Sequence, residues 1–148
     1  MQNLLDIHLN PDFLGAREHC LEKLRSSHIE RLDSLVQRYP ALISGTFFLR
    51  STSRNGITFS YPDEQTGDKQ VIAWSRISGD HEILCAMNLD QEKYACVYVT
   101  VDDVMHPVDS SMKCLFASDL SPAELNIEVR NGKAIRLTIP PHALVIYS

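Results

Sequence analysis

Apolar residues recur at helical spacing in the first third of the chain and at a spacing of two in the rest. Leu14, Leu21, Leu24, Leu32, Leu35, Val36 and Tyr39 fall close to the i, i+3/i+4, i+7 positions of one helix face. Asn10-Pro11-Asp12 supplies a stop-and-cap signal ahead of them, with Asp12 as the N-cap. Pro40 ends the pattern, because a proline ring disfavours helical geometry in the residue before it. The spacing predicts one long helix, with a break near Ser26-Ser27. Its apolar stripe must be covered by something: the chain's own sandwich or a second copy.

From Gly45 onward the period is two. The expected strands are Thr46–Ser51, Gly56–Tyr61, Gln70–Ile77, His81–Leu89, Tyr94–Asp102, Met112–Ala117, Ala123–Arg130, Lys133–Ile139 and Ala143–Tyr147. They are short, rich in β-branched and aromatic residues, and separated by Asn, Asp, Gly and Pro. Val97, Val99 and Val101 alternate with Cys96, Tyr98 and Thr100; Leu125, Ile127 and Val129 alternate with Asn126, Glu128 and Arg130; Ile135, Leu137 and Ile139 alternate with Ala134, Arg136 and Thr138. Asn131-Gly132 reads as a type I′ hairpin and Ser78-Gly79-Asp80 as a second hairpin. The strands on either side of Gly79 are apolar on both faces, which predicts positions in mid-sheet. The expected fold is mainly β: an N-terminal helix (residues 1–44) packed on an antiparallel Greek-key β-sandwich (residues 45–148) of about eight or nine strands.

Composition narrows the partners. The length of 148 residues fits one domain with a real core, and the hydrophobic and charged fractions of 44% and 22% are those of an ordinary soluble protein. A net charge of −5, with 14 scattered basic residues, argues against nucleic acid. No apolar run approaches a membrane span. The N-terminus MQNLLDIHLNPDF lacks the features of a signal peptide. Cys20, Cys85, Cys96 and Cys114 are far apart, with no CxxC and no histidine at ligand spacing. They read as reduced small hydrophobes rather than metal ligands, which makes a cytoplasmic setting the expectation.

No catalytic motif is present. Asp63-Glu64, Asp102-Asp103 and the isolated Asp80, Glu82 and Asp119 are expected in turns or at strand ends, as solvated or turn-stabilising groups rather than an acid/base pair. His8, His19, His28, His81, His106 and His142 share no ligand spacing and are expected at the surface or in local hydrogen bonds. No cofactor or metal is expected. Trp74, inside an apolar run, is expected in the core or an interface. Tyr61 and Tyr94, near strand ends, are the candidate exposed platforms for a carbohydrate, since aromatic rings stack on the apolar faces of pyranoses.

Several segments together resemble one family. Arg38-Tyr39-Pro40-Ala41-Leu42-Ile43-Ser44-Gly45 resembles the R-x-P-A-L-x-x-G that closes the last barrel helix of many α-amylase-family (glycoside hydrolase family 13) enzymes. Val71–Ile77 and Glu82–Asn88 resemble the strand pair "v-l-A-[FW]-x-R … e-v-l-v-v-x-N" of their C-terminal sandwich, and Tyr98–Asp102 the strand after it. The run from Ile135 to Tyr147 is similar to the closing "v-x-l-P-P-h-x-x-x-V-x-Y". The resemblance implies the C-terminal sandwich of an α-glycosidase, preceded by the last barrel helix. Its partner is then a catalytic (β/α)8 barrel that carries the Asp nucleophile and the Glu acid/base. None of the barrel strands bearing those residues is in this sequence, so no catalytic residue is carried over. An accessory role in α-glucan metabolism is the leading expectation. A stand-alone α-glucan-binding module is the alternative, and a homodimer through the N-terminal helix is a further expectation.

Overall fold

A computed structural model describes Glu18, residues 21–62 and residues 69–148. The expected cap at Asp12 and the residues Leu14, His8, His19, Cys20, Asp63 and Glu64 lie outside the described residues. Residues 21–23 are helical, and a second stretch, α1, runs from Ser26 to Arg38. The break between them falls at residues 24–25, just ahead of the expected Ser26-Ser27. Arg25 takes extended geometry (φ −81°, ψ 163°) as the N-cap of α1, so the chain must restart its helix there. Tyr39 leaves helical geometry before Pro40, as a pre-proline residue should. Pro40 then opens a single further turn, α2 (Ala41–Ser44), which was not expected. A Cβ on Gly45 would lie 2.6 Å from the Ala41 carbonyl oxygen, so only glycine lets the chain turn this closely from α2 into the sheet.

The strands are β1 (Thr46–Leu49), β2 (Thr52–Ser53), β3 (Val71–Ser78), β4 (His81–Asn88), β5 (Ala95–Val101), β6 (Ser111–Ala117), β7 (Glu124–Asn126), β8 (Lys133–Ile139) and β9 (Leu144–Tyr147). They form a six-stranded sheet in the order β1-β3-β4-β9-β6-β7 and a three-stranded sheet in the order β2-β5-β8. All pairings are antiparallel. The chain crosses between sheets after β1, β2, β4, β5, β7 and β8, the connectivity of a Greek-key β-sandwich.

Two apolar clusters hold three layers together. Val71, Ala73, Leu84 and Ala86 on one face of β3 and β4 meet Val97, Val99, Ile135 and Leu137 of the small sheet. Ile72, Trp74, Ile83, Cys85 and Met87 on the other face lie under Leu32 and Leu42, with Leu21, Leu24, Leu35, Val36 and Tyr39 packed around them. Both faces of β3 and β4 are therefore buried, as their continuous apolar character predicts. The apolar stripe of α1 faces the chain's own sheet, with Leu32 fully buried and Leu35 and Val36 half-buried.

The alternation expected in β5 and β8 is observed. Asn131 and Gly132 both have positive φ (48° and 87°), as a type I′ turn requires, and Ser78 pairs with His81 across the other hairpin. Two expected strands differ. Within Gly56–Tyr61 only Ser60 makes a bridge, to Thr52, and Ile57 is 81% exposed. The Asn55 carboxamide accepts the Ile57 and Thr58 N–H groups, a turn that competes with strand pairing. The expected Ala123–Arg130 strand is divided: β7 pairs with β6, whereas Glu128 bridges to Ala134 of β8. Changing sheets breaks the alternation, so Val129 projects into solvent at 68% exposure instead of joining Ile127 in the core.

Candidate functional site

β4 carries one polar residue at each end of an apolar strand. Glu82 and Asn88 are six positions apart, so both share the face that carries Leu84 and Ala86 and looks toward the small sheet. Glu82 is 2% exposed and Asn88 is fully buried. Each closes one open end of the sandwich.

At the first end, Arg50 donates from Nη2 to Glu82 Oε2 at 2.6 Å and from Nε to Ser75 Oγ at 2.8 Å. Glu82 Oε1 accepts the Asp102 N–H at 2.9 Å and pairs with His106 Nε2 at 2.7 Å. The Asp102 carboxylate accepts the N–H groups of Val104 and Met105, and Lys133 donates to the Asp103 and His106 carbonyls. The β5–β6 loop is thus tied to β4 and β8 at several points. Burial pushes the Glu82 carboxyl up, but His106, Ser75, the Asp102 N–H and Arg50 together outweigh it and hold the group at about 2. Glu82 was expected to be a solvated strand-end acid and His106 a surface or locally bonded group. Both are corrected, because a β4 side chain of this parity points between the sheets, where a carboxylate must find donors. Asp102 does stabilise a turn as expected, while the Asp103 side chain is 70% exposed, 3.8 Å from Lys133. The two aspartates do not converge on a pocket.

At the opposite end, Asn88 Nδ2 donates to the Lys93 carbonyl at 2.8 Å and to the Ile139 carbonyl at 2.9 Å. Its Oδ1 accepts the Asp90 N–H at 3.0 Å. One side chain therefore joins the two sheets and shapes the turn into β5. Asn88→Ala strands the buried Ile139 carbonyl and removes the bonds to the Lys93 carbonyl and the Asp90 N–H, and urea denaturation is expected to show a loss of about 2 kcal/mol.

The expected platforms are exposed: Tyr94 at 65% and Tyr61 at 42%. Gln70 Nε2 donates to the Tyr94 backbone carbonyl at 3.3 Å, and Arg54 Nη2 donates to Gln70 Oε1. No ring contact joins Tyr61 to Tyr94 among the described residues. Trp74 is fully buried, as expected, between the large sheet and the helices. Tyr147, also fully buried, donates from its hydroxyl to the Pro122 carbonyl at 2.6 Å, and burial pushes its pKa up to about 12. Cys85 is buried, and Cys96 and Cys114 are partly so; all three are free thiols. Among the described residues no group of three or more His, Cys, Asp or Glu side chains could hold a metal ion, and no helix is long and apolar enough to cross a membrane. Two clefts flank α1, one of about 410 Å³ against Leu115 and Phe116 and one of about 230 Å³ beside His28, Asp119 and His142.

Two solved enzyme structures contain a similar fold. A debranching enzyme from Nostoc punctiforme matches over 80% of this chain with a TM-score of 0.53 and 21% identity. A maltogenic alpha-amylase from Thermotoga neapolitana matches over 80% of the chain with a TM-score of 0.52 and 15% identity. The fold is that of a domain of α-amylase-family enzymes. At these identities the likeness is one of fold, and the α-amylase-type sandwich spans 20% of the first enzyme's chain and 24% of the second's. No family model matches the sequence, and no curated protein matches it. Asn88 and Tyr147 are the last residues of two segments by which the sequence resembles the family; Asn88 joins the two sheets and Tyr147 ties β9 to the β6–β7 loop.

Proposed function

We propose that this chain is an accessory β-sandwich of an α-amylase-family glycosidase, catalytically silent by itself, which stabilises a catalytic barrel in α-glucan metabolism. The observation that carries this reading is the fold match over 80% of the chain to about a fifth of a debranching enzyme. The layer formed by residues 21–44 supports it, since this is where a barrel would join the sandwich if α1 is the equivalent of the last barrel helix. The buried ionic cluster is consistent with a structural role, because the Glu82 carboxylate has almost no exposure and is engaged by Arg50, the Asp102 N–H and His106. The test is a panel of chromogenic α-glucosides with the purified chain. No turnover is expected, and hydrolysis or transfer abolished by Asp102→Asn would overturn the reading.

A second reading, a stand-alone α-glucan-binding module, is favoured by one observation: the exposure of the Tyr94 and Tyr61 rings. Calorimetric titration with maltooligosaccharides separates the two. Heat that disappears in Tyr94→Ala or Tyr61→Ala supports binding, whereas no heat at millimolar ligand leaves the accessory reading alone.

A further inference from the structure

We propose that His28 is a proton-operated latch that holds the first turn of α1 on the large sheet and releases it when the imidazole is protonated. His28 is the third residue of α1 and is only 9% exposed. Its Nδ1 accepts the backbone N–H of Arg25, the N-cap residue, at 3.2 Å. An imidazole can accept at Nδ1 only when it is neutral and carries its proton on Nε2. The ring also stands edge-on to Phe116 of β6, with centroids 6.1 Å apart. One side chain thus caps the helix and seats it on the sheet. Glutamine or glutamate commonly fills this third position of a capping box, and there neither loses its acceptor near neutral pH.

Protonation removes the first of these contacts. The imidazolium turns Nδ1 from acceptor to donor, so the Arg25 N–H loses its partner. A positive charge then sits at the positive end of the helix, whose first turn contains no acidic residue. The charged and titratable groups around His28 are mostly unfavourable to it. Arg25 and Arg31 lie on its own segment, Lys23 and His142 line the same cleft, and Asp119 after β6 is the opposing charge. Burial, then Arg25 and Arg31, lower the His28 pKa from the ordinary 6.5, against the pull of Asp119. A lowered histidine favours the folded form above 6.5 and loses that contribution as pH falls from 6.5 through its folded value. Docking of the first turn is therefore complete at neutral pH and weakens in mild acid, with the 230 Å³ cleft beside His28 opening first.

The test is amide hydrogen exchange at Arg25, corrected for the intrinsic pH dependence of exchange, with an NMR titration of the His28 ring in the same sample. Protection at Arg25 is expected to fall roughly five- to tenfold between about pH 7.5 and about pH 5.5. His28→Gln restores the acceptor without titrating and is expected to abolish that dependence. His142→Gln should leave it unchanged. Equal pH dependence in wild type and His28→Gln, or a His28 ring that titrates at or above 6.5, overturns the latch.

Discussion

Glu82→Ala is expected to lower the stability of the chain by about 3–5 kcal/mol, measured by urea or thermal denaturation at neutral pH. The loss comes less from the attraction removed than from what remains. The Arg50 side chain, 15% exposed, keeps its charge without the carboxylate, and the Asp102 N–H and His106 ring lose their common acceptor. Glu82→Gln retains one acceptor oxygen for those donors and should lose less. The same group sets the acid limit of the fold. Its folded pKa of about 2 lies below the ordinary 4.5. Its contribution is therefore present above pH 4.5 and is lost as pH falls toward 2, about 3 kcal/mol across that window. Stability of wild type should fall more steeply than that of Glu82→Gln between these limits. Parallel curves would show that the Glu82 ion pair does not hold the end of the sandwich.

Trp74→Ala is the second large effect, expected at about 3–5 kcal/mol. The indole fills the space between the large sheet and Leu32 and Leu42, so its removal leaves a cavity at the layer boundary that the β3 backbone cannot close. The helices should then come away more readily than the strands, seen as a loss of far-UV helical signal ahead of the main transition. Trp74→Phe should be much milder than the change in area suggests. Trp74 Nε1 is buried without an acceptor, so phenylalanine removes a donor that forms no bond here.

How much of this was legible in the sequence depended on how local the cause was. The paired alternation of β5 and β8 and the Asn131-Gly132 turn are short-range and were readable directly. The two-faced apolarity of β3 and β4 correctly implied mid-sheet strands, and the helical stripe correctly implied a helix packed on the sandwich. The buried polar partners were missed for one cause. Glu82 meets Arg50 from 32 positions away and His106 from 24, and Asn88 meets Ile139 from 51. No local spacing encodes such partners. The one available signal was parity: an acid in register with Leu84 and Ala86 on an otherwise buried strand has to face the core. Val129 misled for the opposite reason, because its alternation was regular while the chain was changing sheets. The exposure of Tyr61 and Tyr94 was readable from their positions at strand ends. The Gln70 bond to the Tyr94 backbone carbonyl, from 24 positions away, became apparent only once the sheets were folded.

The central claim is that the chain serves a catalytic barrel. The most direct measurement is isolation of the tagged chain from its native cells at endogenous expression, with the mass of the intact particle and the identity of every polypeptide in it determined by mass spectrometry. The account expects an α-amylase-type (β/α)8 barrel, on the same polypeptide or as a stoichiometric partner, with its Asp and Glu at strand ends. Recovery of the chain alone, or in stable association with a protein that has no such barrel, would contradict it.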